Sequence, residues 1–174
     1  MRRIAVVGNT AAGKTTLSQA LAQRLGIPHL ELDALYWGPG WDPVPVERFR
    51  EAVAAAASGD AWVLDGNYSA VRDIVWRRAD TLVWLDFSLP LVLVRLTRRQ
   101  ARRILTREEL WNGNRDSLRD TFSRKSLFLW AWQSHRRRRR AYVAALAAPE
   151  HSHLSVLHVR TPRAARRWLA TLST

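Results

Sequence analysis

A chain of 174 residues with 28 lysines and arginines against 15 aspartates and glutamates carries a formal charge of +13, which calls for anionic partners. The length supports one domain with a substantial core, no run is long and apolar enough to span a membrane, and the lack of cysteine removes disulfides and thiolate metal sites. The excess charge is local: from Arg95 to Arg140 fifteen basic residues face four acids. Met1-Arg2-Arg3 leads straight into an apolar run, which leaves no room for a signal peptide, so the expectation is a cytoplasmic protein with no membrane contact.

Ile4-Ala5-Val6-Val7 reads as a parallel strand buried on both faces. It runs into Gly8-Asn9-Thr10-Ala11-Ala12-Gly13-Lys14-Thr15, which matches G-x-x-x-x-G-K-[ST], the phosphate-binding loop of nucleoside-triphosphate enzymes. Glycines let successive backbone N–H groups curl around an anion. The helix that follows, marked by Leu17, Leu21 and Leu25, turns its unpaired N–H groups and positive dipole end toward the same place. Lys14 can reach the β- and γ-phosphates, and Thr15 can give its hydroxyl to Mg²⁺. The candidate ATP site is therefore Gly8, Asn9, Thr10, Ala11, Ala12, Gly13, Lys14 and Thr15, with Thr16 as a second hydroxyl beside it.

Gly26 and Pro28 stop the first helix. His29-Leu30-Glu31-Leu32-Asp33 reads as the second strand, followed by a loop carrying Tyr36, Trp37 and Trp41 among glycines and prolines. Pro45 opens a helix with Phe49, Val53 and Ala57 on its apolar stripe. Trp62-Val63-Leu64-Asp65-Gly66 is the third strand, a short helix covers Ala70 to Arg78, and Thr81 to Asp86 is the fourth strand. Pro90 opens a long helix to about Ile104. Thr106 to Ser117 is polar around Asn112-Gly113-Asn114 and reads as a mobile loop; a helix from about Leu118 to Leu146 follows. Ser155 to Val159 is the fifth strand, and Pro162 to Leu172 a closing helix with Ala165, Trp168, Leu169 and Leu172 inward. The alternation predicts an α/β fold of three layers, α/β/α, with a five-stranded parallel sheet. Ligands bind at the carboxyl ends of such strands, where the phosphate loop, Asp33, Asp65 and Asp86 are expected to meet.

Asp65 is the candidate to organise Mg²⁺ through its water shell, the alternative being a cap on the turn before Gly66. Asp33 is the candidate acceptor-side carboxylate, able to take a proton from a hydroxyl or to orient it; the alternative is an Asx turn. Asp86 reads as structural. Tyr36 and Trp37 can stack on a flat substrate or wall a sugar, or simply pack over the sheet edge. Asn67 and Tyr68 can hydrogen-bond an acceptor. On the long helix Arg95, Arg99, Arg102 and Arg103 share a face aimed at the lid region, and Arg115 lies in the mobile loop. Arg136 to Arg140 point in every direction on a helix, so they read as a solvated helix end, with a polyanion patch as the alternative. His151 and His153 read as loop residues.

The loop Gly8–Thr16, the run Leu32-Asp33-Ala34-Leu35-Tyr36-Trp37, the run Leu64-Asp65-Gly66-Asn67-Tyr68, the arginines from Arg95 to Arg103, Gly113-Asn114-Arg115 and Arg160-Thr161-Pro162-Arg163 together resemble the adenylate-kinase-like group of P-loop kinases. Within that group the chain is most similar to small proteins labelled DNA topology modulation (FlaR-like) proteins. The resemblance implies one nucleotide-kinase-like P-loop domain over residues 1–174, with a core of about 1–103 and 147–174 and a helical, Arg-rich lid of about 104–146. It implies ATP and Mg²⁺ as cofactors, with Lys14, Asp33, Arg99, Arg103 and Arg115 as catalytic residues, and with Arg99 and Arg160 also against ATP, Arg160 beside the adenine. It departs from adenylate kinases in one respect: neither Asp33–Tyr36 nor Asp65–Ser69 contains the arginine that grips a nucleotide monophosphate, and only Arg72, a helical turn later, can substitute. That favours a small-molecule acceptor that presents a hydroxyl. A nucleoside monophosphate kinase is the alternative. An ATP-dependent nucleic-acid-binding regulator, suggested by the basic segment and not favoured, lacks a recognisable DNA-reading module.

Overall fold

The computed structural model describes residues 1–115 and 127–172, the side chains of 127–131 excepted. Five strands form one wholly parallel sheet, β1 (Arg3–Gly8), β2 (His29–Glu31), β3 (Trp62–Asp65), β4 (Thr81–Leu85) and β5 (Ser155–Val159), in the order β2-β3-β1-β4-β5. The inner strands are apolar except at their ends, at Arg3, Asp65 and Thr81, because helices cover both faces. Side-chain alternation sorts the faces. Ala5, Val7, Leu64, Leu82 and Trp84 point to one, and Ile4, Val6, Val63, Val83 and Leu85 to the other.

The first face is covered by α3 (Val46–Ala56) through Phe49 and Val53, by α4 (Arg72–Arg78) through Val75 and Trp76, and by α6 (Leu127–Leu146) through Tyr142. The second is covered by α1 (Lys14–Leu25) through Leu17 and Leu21, by α5 (Leu89–Thr106) through Val92 and Leu96, and by α7 (Pro162–Thr171) through Ala165, with Trp168, Leu169 and Leu172 partly buried beside it. Full burial of side chains such as Phe49 and Leu21, each at 0% exposure, contributes about 1.5–3 kcal/mol apiece. Among the described residues no helix is long and apolar enough to cross a membrane.

Two expectations differ from the structure, and a third lies partly outside the described residues. The second strand stops at Glu31, and Leu32–Tyr36 forms a short helix, α2, so Asp33 sits in a first helical turn and not on a strand. The cause lies in the partner strand: β2 pairs with β3 only as far as Glu31↔Asp65, where β3 itself ends. The segment 107–115 is a structured loop, with a 3₁₀ turn at Trp111–Gly113 and an antiparallel bridge between Glu109 and Arg115. The expected helix from Leu118 is seen from Leu127; residues 118–126, and 116–117 of the expected loop, lie outside the described residues.

Gly66 makes the turn out of β3. Its φ is +151°, and a Cβ there would meet Leu32 Cβ at 2.6 Å. Leu32 is 2% exposed and cannot retreat. Gly66→Ala is therefore expected to destabilise the protein by about 1–3 kcal/mol, as overpacking does, measured by urea unfolding. A midpoint equal to wild type would show that the α2 turn yields at no cost.

Candidate active site

β1 delivers the phosphate loop to the carboxyl end of the sheet, and Gly13, at φ +92°, turns the chain into α1 in a conformation that side-chain-bearing residues avoid. The loop is braced from within by Ala12 N–H on the Asn9 carbonyl (3.1 Å) and Thr10 N–H on Asn9 Oδ1 (2.9 Å). From outside, Arg95 on α5 donates to the Ala12 carbonyl at 2.9 Å while lying over the Phe87 ring. Asn67 clasps the loop's first residue: its Oδ1 accepts from Gly8 N–H (3.1 Å) and from the Tyr142 hydroxyl (2.8 Å), and its amide donates to the Gly8 carbonyl. Asn67 is thus bonded to the backbone of the phosphate loop's first residue and to α6.

Lys14 donates to the Asn9 carbonyl at 3.3 Å. Burial pushes its ammonium below the usual lysine range; Asp33 and Asp65 oppose that shift, and Arg138 and Arg99 add to it. Lys14 therefore lies in the field of two carboxylates and two guanidinium groups.

Thr15 Oγ1 lies 2.9 Å from Glu31 Oε1 and 3.3 Å from Asp65 Oδ1. A hydroxyl has one hydrogen, so it donates to one of these at a time and keeps lone pairs for another partner. Asp65, 2% exposed, is held on its other oxygen by His29 Nε2 at 2.7 Å. One hydroxyl and two carboxylates are hard oxygen donors, the set that suits Mg²⁺. Among the described residues no cluster of three or more His, Cys, Asp or Glu could hold a metal by itself. These residues therefore fit a Mg²⁺ that keeps waters and takes its remaining ligands from phosphate.

The Tyr68 hydroxyl donates to Asp33 Oδ1 at 2.5 Å. Burial, and then the negative charge of Asp33, hold the Tyr68 phenol far above its ordinary range, so it stays a donor. Its ring is fixed between Tyr36 (4.5 Å between centroids) and Phe49 (5.1 Å). Tyr36 also packs on Phe49 and Trp37. Trp37 stands edge-on to Trp41, and Trp41 edge-on to Trp111.

The arginines separate. Arg95 and Arg99, one turn apart on α5, face the phosphate loop and Lys14. Arg102 and Arg103 turn instead to Glu108, at 2.8 and 3.7 Å, and Arg115 is exposed and pairs with Glu109 at 3.3 Å. Arg102 and Arg103 thus share Glu108, and residues 116–126 of the lid that the row is expected to face lie outside the described residues. Acids that follow α5 in the chain capture its last turn. Arg160 is exposed after β5. Arg72 lies over the rings of Trp76 (5.1 Å) and Tyr142 (5.6 Å), a cation–π arrangement.

The run Arg136–Arg140 is not uniformly solvated. His135 contacts the Phe87 carbonyl at 3.0 Å, Arg139 pairs with Asp86 at 3.1 Å, and Tyr142 reaches Asn67. These positions share a helix face with Arg138, which is half-buried within the fields of Tyr142, Tyr68 and Asp33. Asp86 also takes His158 Nε2 at 2.9 Å, with His158 stacked flat on Trp84, so Asp86 is structural.

Glu31, His29, Arg138 and Trp111 are the members that sequence reasoning missed. Glu31 had a signal, since Glu31 and Asp33 are two residues apart at the end of an expected strand. Arg138 had one too, in the three- and four-residue spacing from His135 to Tyr142.

No protein-family model matches the chain, and no curated protein matches it in sequence. Solved structures do match. A shikimate kinase from Bacteroides thetaiotaomicron superposes with a TM-score of 0.57 over 97% of this chain and 94% of its own, at 15% identity. A sugar kinase from Janibacter sp. HTCC2649 gives 0.51 over 98% and 93% at 20% identity, and a gluconokinase from Sinorhizobium meliloti 1021 gives 0.50 over 99% and 93% at 19% identity. Across nearly its whole length the chain has the P-loop α/β fold of these structures.

Proposed function

We propose that this chain is an ATP-dependent kinase that transfers the γ-phosphoryl group to a hydroxyl of a small molecule. The observation that carries the reading is the position of Lys14. Its buried ammonium lies in the field of Asp65 on the Thr15 side and of Asp33 on the Tyr68 side. One carboxylate stands where a metal would be held and the other where an acceptor hydroxyl would lie. The fold neighbours are named as kinases of shikimate, gluconate and sugar, all acceptors with hydroxyls. The finer likeness to FlaR-like proteins rests on the Asp33 and Asp65 runs and names no acceptor.

In this reading Gly8–Thr16 cradles the ATP phosphates, and Thr15, with Asp65 and Glu31 behind it, holds Mg²⁺. The metal would neutralise charge on the β- and γ-oxygens. Lys14 and Arg99 stabilise the charge that builds on the phosphoryl group. Asp33, its orientation fixed by Tyr68, orients the acceptor hydroxyl and takes its proton. Arg103 and Arg115, engaged with Glu108 and Glu109, would have to exchange those partners to reach phosphate. A nucleoside monophosphate acceptor fits less well, because Arg72 is committed to Trp76 and Tyr142 and neither flanking run supplies another arginine.

The test is ADP formation from ATP and Mg²⁺ against a panel of hydroxy acids, sugars, nucleosides and nucleoside monophosphates. A hydroxy compound that stimulates turnover and gains phosphate is the expected result. Stimulation by monophosphates alone would sink the hydroxyl reading, and stimulation by DNA or RNA alone would favour a nucleic-acid-linked role.

A further inference from the structure

The two oxygens of Glu31 serve different parts of the molecule. Oε1 accepts from the Thr15 hydroxyl at 2.9 Å, and Oε2 accepts from the indole N–H of Trp111 at 2.8 Å, eighty positions away. Trp111 belongs to the loop 107–115, and the rest of that loop is bonded to the segment after α2. Asn112 donates to the Trp37 carbonyl at 2.5 Å. Asn114, 4% exposed, donates to the Gly38 carbonyl at 2.8 Å and accepts from Trp41 N–H at 2.9 Å. The Trp41 indole N–H reaches the Arg115 carbonyl at 3.3 Å. The loop therefore rests on the segment 37–41 and sends Trp111 to the Thr15 corner.

We propose that Trp111 is a positioning residue that ties the loop 107–115, and through it the segment 37–41, to the occupancy of the Thr15 corner by way of Glu31. The inference rests on the nucleotide and Mg²⁺ reading above. When Thr15 gives a lone pair to a metal, its hydrogen still needs an acceptor, and Glu31 is the nearer carboxylate. That fixes the Glu31 carboxylate. A fixed carboxylate fixes the indole N–H, since a donor largely removed from water must keep a partner. Asn112 and Asn114 then hold Trp37, Gly38 and Trp41 in register. Coupling is reciprocal: whatever the filled corner does to order the loop, the ordered loop returns as affinity for the metal-bound nucleotide.

Trp111→Phe keeps an aromatic ring against Trp41 and removes one donor. The experiment measures ADP binding by calorimetry, with Mg²⁺ and with EDTA, together with hydrogen exchange of the amides in 107–115. In the wild type, Mg²⁺ with ADP is expected to slow exchange in the loop beyond what ADP in EDTA achieves. In the variant, ADP affinity in EDTA stays as in the wild type, while the gain on adding Mg²⁺ shrinks by about five- to tenfold, at the lower end of usual coupling factors. The extra protection is lost with it. Trp132→Phe, at a residue 63% exposed on α6, controls for the loss of an indole and is expected to match the wild type. If Trp111→Phe and wild type gain equally from Mg²⁺ and protect the loop equally, the tie through Glu31 is overturned and the kinase reading survives. If wild type binds no ADP under either condition, the kinase reading falls and this inference falls with it.

Discussion

Replacing Lys14 with methionine is expected to slow phosphoryl transfer severely while making the nucleotide-free protein more stable. The first half follows from the site. Phosphoryl transfer is positioning plus charge stabilisation, and removing one preorganised donor from such a site costs about a hundred- to a thousandfold in rate. The second half follows from burial. The Lys14 ammonium titrates below its unfolded value of 10.5, with desolvation as the leading cause. Between the lowered value and 10.5 the unfolded chain binds more protons at this residue than the folded one, so stability rises with pH across that window. Below the lowered value the penalty for holding the charge is fully present. Methionine is close in length and carries no charge, so the variant loses the penalty along with most of the activity. Thermal melts at neutral pH without nucleotide, compared with melts as pH approaches 10, measure both effects. A Lys14→Met protein that melts below wild type at neutral pH would mean that Asp33 and Asp65 more than compensate the desolvation. Addition of ATP with Mg²⁺ should reverse the order, because the anion that Lys14 is charged to meet is then present.

The parts of this protein legible in its sequence are those fixed by local chemistry. β1, β3 and β4 read correctly because strands buried on both faces have no polar alternation to confuse. The phosphate loop reads correctly because its glycines and lysine lie within one short segment. What escaped was decided by partners distant in the chain. Leu32 and Asp33 continue a strand-like pattern, yet the strand ends because β3 offers nothing to pair with past Asp65. Thr106 to Ser117 has the composition of a mobile loop, but Asn112 and Asn114 bond to backbone groups of the segment 37–41. Arg136–Arg140 hides its inward members, Arg138 and Arg139, because five consecutive identical residues carry no period. The period lies in their neighbours, His135 and Tyr142.

Asp33→Asn should separate two ways in which that carboxylate can serve the reaction. The amide keeps the shape and, through its oxygen, can still accept from Tyr68. It cannot take a proton. If Asp33 acts as the base for an acceptor hydroxyl, kcat falls by about a hundredfold or more, and the affinity for ATP barely changes, because the phosphate loop is braced by Asn9, Asn67 and Arg95 and not by Asp33. If Asp33 only orients the hydroxyl, the loose transition state of phosphoryl transfer needs little help from a base, and the asparagine variant should lose less than about tenfold in kcat. A pH profile adds a second, independent reading. The charge of Asp33 holds the Lys14 proton on, so removing it lets the Lys14 value fall further. The alkaline limb of kcat/KM should therefore move to lower pH in Asp33→Asn whichever role is correct. Tyr68→Phe, which keeps both charges and the ring packing, should leave that limb close to wild type and lower kcat by loosening Asp33. An unmoved alkaline limb in Asp33→Asn would break the electrostatic link between Asp33 and Lys14, and with it the placement of the acceptor hydroxyl beside the phosphate loop.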